Sequence, residues 1–447
     1  MDAPLQSVPV VIPSDLIAII LTFLPVKTIT QLKLVSKSWN TLITSPSFIK
    51  IHLNQSSQNP NFILTPSRKQ YSINNVLSVP IPRLLTGNTV SGDTYHNILN
   101  NDHHFRVVGS CNGLLCLLFK SEFITHLKFR FRIWNPATRT ISEELGFFRK
   151  YKPLFGGVSR FTFGCDYLRG TYKLVALHTV EDGDVMRSNV RVFNLGNDDS
   201  DKCWRNIPNP FVCADGVHLS GTVNWLSLRE DARYIEGSME PLTPHVDHFL
   251  IASLDLSTET YKYLLLPKGF KELPCAEPYL RVLLDCLCFL HDFRKTEFVI
   301  WQMKEFGVRE SWTRLFKIPY VDLQMLNLPI DVQYLNEYPM LPLYISKNGD
   351  KVILTNEKDD ATIIYNKRDK RVDRARISNE IHWFSAMDYV ESLVPTPWKS
   401  GYIEAEAEAE EEEEEEKDED EDENEDEDED EDEDEEVAGG FFFMMIK

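Results

Sequence analysis

The chain has 447 residues, enough for two or three domains, and a formal net charge of −22. That charge is local: residues 404–436 hold 28 acidic residues and one Lys, a run of −27 that leaves everything else mildly basic at +5. Eight scattered cysteines without a C-x-x-C pair argue against a disulfide framework, the first residues lack the basic start and apolar core of a secretory signal, and no run approaches the roughly 20 apolar residues of a membrane span, so the expectation is a chain of the cytoplasm or nucleus with reduced thiols.

Residues 1–11 read as a flexible start, and Ile12 opens three short helical segments. The first has Ser14 as its expected N-cap and Asp15 in its first turn, and it stops at Pro25, which cannot continue a helix. Within it Leu16, Ile17, Ile19, Ile20, Leu21, Phe23 and Leu24 leave no polar face. A helix apolar all round must be covered all round, yet a unit of about 40 residues is too small to do so alone, so a second surface is required. The second segment, 27–35, spaces Ile29, Leu32 and Val35 by three. Ser36 caps a third that carries Trp39, Leu42 and Ile43, and Ser45 with Pro46 opens a short fourth through Phe48 and Ile51.

The order of these residues resembles the F-box. The family's pattern falls on Ile12, Pro13, Asp15, Leu16, Ile20, Leu21, Leu24, Pro25, Val26, Leu32, Val35, Ser36, Lys37 and Trp39, with one departure, Ile12, where the family prefers Leu. The resemblance implies a small all-α module over 12–54 that docks on the SKP-type adaptor of a cullin-RING ubiquitin ligase. Its expected contacts are Ile12, Pro13, Leu16, Ile20, Leu24, Pro25, Val26, Leu32, Val35 and Trp39.

From about residue 61 to 395 the helical period gives way to short Val-, Ile-, Leu-, Phe- and Tyr-rich runs separated by turn residues. A loose repeat places Trp134, Phe193, Leu254, Trp301 and Tyr365 near the ends of apolar strands, at intervals of 59, 61, 47 and 64 residues. A strand pair precedes most of these markers, with hairpin signals at Asn112-Gly113, Ser220-Gly221 and Asn348-Gly349-Asp350. Four strands per unit of about 50 residues suit a propeller blade, and a weaker first unit at 61–85 makes six; a pair of β-sandwiches is the alternative. Closure would involve residues near Ile381 and Phe384.

The body also resembles the F-box-associated domain of a large plant family, through GSCNGLLCL at 109–117, RIWNPATR at 132–139, GVHLSGTVNWLSL at 216–228, LDLSTETY at 254–261, IWQMKEFGVRESWTRLFKI at 300–318 and YVESLVP at 389–395. Many relatives are labelled kelch-like, but this chain lacks the tandem Gly-Gly of kelch blades.

Sites for chemistry are scarce. Ser110 between glycines precedes a strand rather than a helix and reads as a turn. His245, Asp247 and His248 lack helical presentation for a metal, and Cys286 with Cys288 falls on one face of a strand as small hydrophobes. Residues 367–376, six basic and two acidic, read as a solvated hairpin. There is no phosphate loop, and no catalytic, cofactor or metal residue is expected; neither membrane nor nucleic acid is an expected partner. The acidic tail, 400–447, is expected to be disordered, and composition offers no account of the apolar Phe441, Phe442, Phe443, Met444, Met445 and Ile446 beyond it.

What the resemblance implies is a non-catalytic receptor that holds the adaptor, and through it cullin and RING subunits, with the helices, and holds a target protein of unknown identity with loops of the β-domain. The longest polar candidates are 86–104, 181–189, 229–247 and 320–337. A scaffold without ligase function is the alternative, and a propeller enzyme would need a convergent acid, base or metal group.

Overall fold

The computed structural model describes residues 13–57, 61–66, 76–81, 85, 93–95, 105–123, 125–151, 157–182, 185–195, 203–208, 215–229, 245–274, 276–323, 340–355, 361–376 and 383–396. Four helices come first: α1 (Ser14–Thr22), α2 (Val26–Leu32), α3 (Lys37–Thr44) and α4 (Pro46–Ser56). Ser14 is not the cap of α1. Pro13 occupies that position and its carbonyl accepts from Leu16 and Ile17, so Ser14 is the first helical residue. The second helix is shorter than expected, since Lys33, Leu34 and Val35 form a turn that lets Ser36 adopt an extended conformation and accept from the Trp39 amide at 3.2 Å. Ser45 caps α4 in the same way through the Phe48 amide, with Pro46 in the first turn, and the resulting helix is the longest of the four.

The strands follow as β1 (Asn61–Pro66), β2 (Val76–Pro80) and β3 (Asp93–Tyr95); β4 (Phe105–Cys111), β5 (Leu114–Glu122), β6 (His126–Asn135), β7 (Thr140–Ile141) and β8 (Leu145–Tyr151); and β9 (Gly157–Asp166), β10 (Thr171–Asp182), β11 (Val185–Leu195) and β12 (Arg205–Ile207). Then come β13 (Val217–Leu219), β14 (Thr222–Leu228), β15 (Phe249–Asp255) and β16 (Thr260–Leu265); β17 (Tyr279–Leu283), β18 (Cys286–Phe293), β19 (Glu297–Met303) and β20 (Trp312–Pro319); and β21 (Leu341–Ile345), β22 (Lys351–Thr355), β23 (Ala361–Asn366), β24 (Arg371–Arg376) and β25 (Trp383–Tyr389). They form six antiparallel sheets, the blades of a propeller, whose innermost strands β4, β9, β13, β17, β21 and β25 touch in that order and return from β25 to β4. The ring closes because β25 pairs with β1, from Asn61 opposite Tyr389 to Pro66 opposite Trp383, and so completes the first blade with the last strand. Closure leaves no strand of the ring's interior as an open edge.

Buried apolar side chains fall into one cluster per blade boundary. Strand β18 shows why: Cys288 and Leu290 join the core toward the last blade, while Leu287 and Phe289, on the opposite face, join the core toward the preceding blade. Both faces are buried, so the run is apolar throughout rather than alternating. Cys286 shares the face of Cys288 and is half-buried. The repeat markers Trp134, Phe193, Leu254, Trp301 and Tyr365 each lie in the third strand of a blade. After three of them an Asn or Asp ends the strand and turns the chain: Asn135 accepts from the Ala137 and Thr138 amides, Asp255 from Ser257 and Thr258, and Asn366 from Arg368. Asn112-Gly113 and Ser220-Gly221 make the expected two-residue hairpins, with φ of 52°, 77°, 47° and 81°.

The described residues of 181–189, expected as a loop, belong to strands: the β10–β11 ladder continues through Glu181 opposite Met186 to Asp182 opposite Val185. Hairpin pairing satisfies the backbone without an apolar face, so polar composition misled there. Segment 86–104 contains β3, and 320–337 begins with a turn at Tyr320 through Leu323; the rest of both, most of 229–247, Ile381, His382 and the tail lie outside the described residues.

Candidate functional site

The helices pack into a core of Leu21, Val26, Ile29, Ile43 and Phe48, and that core includes Leu393 from the segment after β25, with Ala137 from the β6–β7 turn packed against it. The helical module therefore sits on the ring face that carries the first-to-second and third-to-fourth strand turns. Buried Asn135 pins the connecting segment: its side-chain amide donates to the Ser392 carbonyl at 3.1 Å and the Val394 carbonyl at 2.8 Å. Gly113 is needed beside it, because a Cβ there would collide with the Val390 carbonyl and the Ser392 side chain, and its φ is +77°.

Helix α1 divides cleanly. Leu21 is buried and Ile17, Ala18 and Leu24 pack against the core, whereas Leu16, Ile19, Ile20 and Phe23 stand 51%, 56%, 57% and 66% exposed. Their i, i+3, i+4, i+7 spacing makes one continuous apolar stripe facing water. Leu34 and Val35 project from the next turn at 88% and 61%, and Ile51 from α4 at 56%. Exposing this much apolar surface in a module of this size is unfavourable, and no described residue of the ring covers it.

Of the expected adaptor contacts, Pro13, Leu16, Ile20, Pro25 and Val35 are exposed, while Leu24, Leu32 and Trp39 are half-buried with part of each side chain spent on the core. Val26 is fully buried and serves the module's own packing, and Ile12 lies outside the described residues. Ile19, Phe23 and Leu34, which the expected set did not include, are exposed beside these residues; which side of α1 faces out depends on where α4 packs.

His52 holds the module together from within. Its Nε2 donates to the Leu24 carbonyl at 3.0 Å and its Nδ1 lies 3.3 Å from the Ser56 hydroxyl. Burial lowers its pKa, the Leu24 bond opposing.

His218 accepts from the Cys165 amide at 3.2 Å and burial pushes it down to about 4. Asp388 on β25 is reached by water yet surrounded by protein; that surrounding pushes its carboxyl up to about 7, with Arg281 opposing and Asp285 adding. His245 and His248 cap one short turn with Asp247, and residues 367–376, expected as a solvated hairpin, form the exposed β23–β24 turn and strand β24. Among the described residues no three His, Cys, Asp or Glu side chains converge as metal ligands.

Residues 61–396 match the family described as the F-box associated beta propeller domain, and residues 11–51 match the F-box domain. An F-box/kelch-repeat protein of Arabidopsis thaliana is 27% identical over 69% of this chain and 79% of its own length. The F-box protein CPR1 of the same plant is 26% identical over 86% of this chain and 88% of its own. Among solved structures, TolB from Acinetobacter baumannii aligns over 77% of this chain and 73% of that one, at 12% identity and a TM-score of 0.40.

Proposed function

Because the chain belongs to the family of F-box proteins with an F-box-associated β-propeller domain, we propose that it is the target-recognising subunit of an SKP-cullin-F-box ubiquitin ligase. The observation that carries this reading is the apolar stripe of Leu16, Ile19, Ile20 and Phe23, a surface that needs a partner and is presented by the module whose family docks on an SKP-type adaptor. The protein contributes no bond-making step. It raises the local concentration of a target beside a ubiquitin-charged enzyme, replacing a bimolecular encounter by one within an assembly.

The module occupies one face of the ring, so the target side is the other. The strand ends Leu228 and Phe249, Pro319 and Leu341, and Tyr95 and Phe105 open on that side, and the residues between each pair are the proposed target contacts. Cytosol or nucleus is the proposed compartment, which suits the six described cysteines, all free.

Titration of the full chain with a purified SKP-type adaptor tests this. Covering Phe23, now two-thirds exposed, is worth about 2 kcal/mol, so Phe23→Ala should weaken binding roughly 30-fold while thermal unfolding stays put, the side chain contributing little to the isolated fold. Leu24-Pro25 replaced by Ala-Ala is a poorer probe, because Leu24 also packs against the core. A folded wild-type chain with no affinity for any such adaptor would overturn the reading.

A further inference from the structure

Residues 441–446, Phe-Phe-Phe-Met-Met-Ile, follow abruptly on the acidic run, and nothing proposed above uses them. We infer that this segment docks within the same chain on the α1 stripe of Leu16, Ile19, Ile20 and Phe23, with the acidic run lying against the lysines of the helical module. It then competes with whatever partner that face takes. Docking stands on the exposed face itself; its effect on the adaptor rests on the function proposed above.

Connectivity favours this occupant. Leu393 is part of the helical module's own core, and the described chain ends three residues later at Thr396, so the tail departs from the module rather than from a distant blade. The 44 residues from 397 to 440 have a maximum contour of about 150 Å. Helix α1, nine residues long, spans only about 13 Å. The segment therefore reaches the stripe without strain, at an effective concentration on the order of 1 mM.

Charge favours it as well. Residues 13–57 carry four Lys (27, 33, 37 and 50) against one Asp, a net +3, which is more than half of the +5 found outside the acidic run. Lys27, Lys37 and Lys50 are exposed. A run of −27 tethered beside a +3 module is drawn toward it within about 10 Å at 0.1 M salt, and this brings the apolar residues that follow to the stripe. Phenylalanine supplies large apolar contacts, and methionine adapts to an irregular aliphatic surface.

The test is hydrogen exchange on the full chain without adaptor, compared with the triple variant Phe441→Ser, Phe442→Ser, Phe443→Ser. Exchange across residues 14–24 is expected to be about three- to tenfold faster in the variant, and adaptor affinity about three- to tenfold tighter, the amount by which a weak contact closed at that effective concentration taxes a competing partner. The substitutions lie outside the described elements, and unchanged exchange in the six inner strands verifies that the ring is intact. Equal exchange of α1 in both proteins overturns the inference. Protection of α1 that falls on dilution also overturns it, by assigning the stripe to a second copy. If neither protein binds an adaptor, the proposed function fails, while the exchange difference still decides the docking.

Discussion

Asn135 fixes the segment that carries Leu393 into the helical core, through four hydrogen bonds from one fully buried side chain. Its amide donates to the carbonyls of Ser392 at 3.1 Å and Val394 at 2.8 Å, and its oxygen accepts from the amides of Ala137 at 3.1 Å and Thr138 at 3.2 Å. Leu393, held between the two carbonyls, is the ring's contribution to the helical core. Asn135→Ala deletes all four bonds. At roughly 1 kcal/mol each, with water restoring part of the turn, the cost is about 3–4 kcal/mol. An unfolding entropy of about 2.1 cal/mol/K per residue over the roughly 340-residue ring converts this to a melting temperature lower by about 5 °C. Asn135→Asp separates the two roles, since a carboxylate still accepts from Ala137 and Thr138 but faces two carbonyls with nothing to donate. Hydrogen exchange should therefore show the Ala137 and Thr138 amides still protected in the Asp variant, while the Val394 amide, which donates to the Ser392 hydroxyl, exchanges faster. Thr138→Ala, which removes an exposed hydroxyl pair, should be silent. If Asn135→Asp melts within about 1 °C of wild type and leaves Val394 protected, the side chain is not the pin and the apolar contacts of Leu393 and Ala137 hold the helices without it.

Lys173, 2% exposed, donates to the Leu256 carbonyl at 2.5 Å and to Glu259 at 2.8 Å, tying the third blade to the fourth. Lys173→Met should cost about 3 kcal/mol by calorimetry, part of it recovered in Lys173→Met/Glu259→Gln, where the Glu259 charge is removed together with its lysine. Although burial raises Glu259, its bonds to Lys173 and Arg205 outweigh that and lower its pKa, so this contribution is present at neutral pH and lost as pH falls below the ordinary carboxylate range; the Met variant should show a flatter acid limb. His52, lowered by burial, stabilises the helical module while neutral, so unfolding of that module should become easier as pH falls below about 6.5, where the unfolded imidazole gains a proton first. His52→Gln should weaken the module and remove that dependence, as read by exchange in residues 14–56 between about pH 7.5 and 5.5.

Signals carried by neighbouring residues were legible in the sequence. Ser36 and Ser45 cap helices because a hydroxyl beside a free amide needs no distant partner, and Asn112-Gly113 turns a hairpin because those residues tolerate positive φ. The period of the strands and the spacing of Trp134, Phe193 and Tyr365 carried the blade count, since each blade repeats the same local requirement for an apolar third strand and a turn after it. Tertiary structure alone decided which apolar residues of α1 face water, because that depends on the position of α4 and of Leu393, far along the chain. It also decided that Val26 is core, and that Glu181 and Asp182 lie in a ladder although their polarity suggests a loop. The stretch near Phe384 was legible as the closing strand, but its register, which sets Asn61 opposite Tyr389 and turns a row of blades into a ring, was not: each strand is stable only where the other supplies its backbone partners.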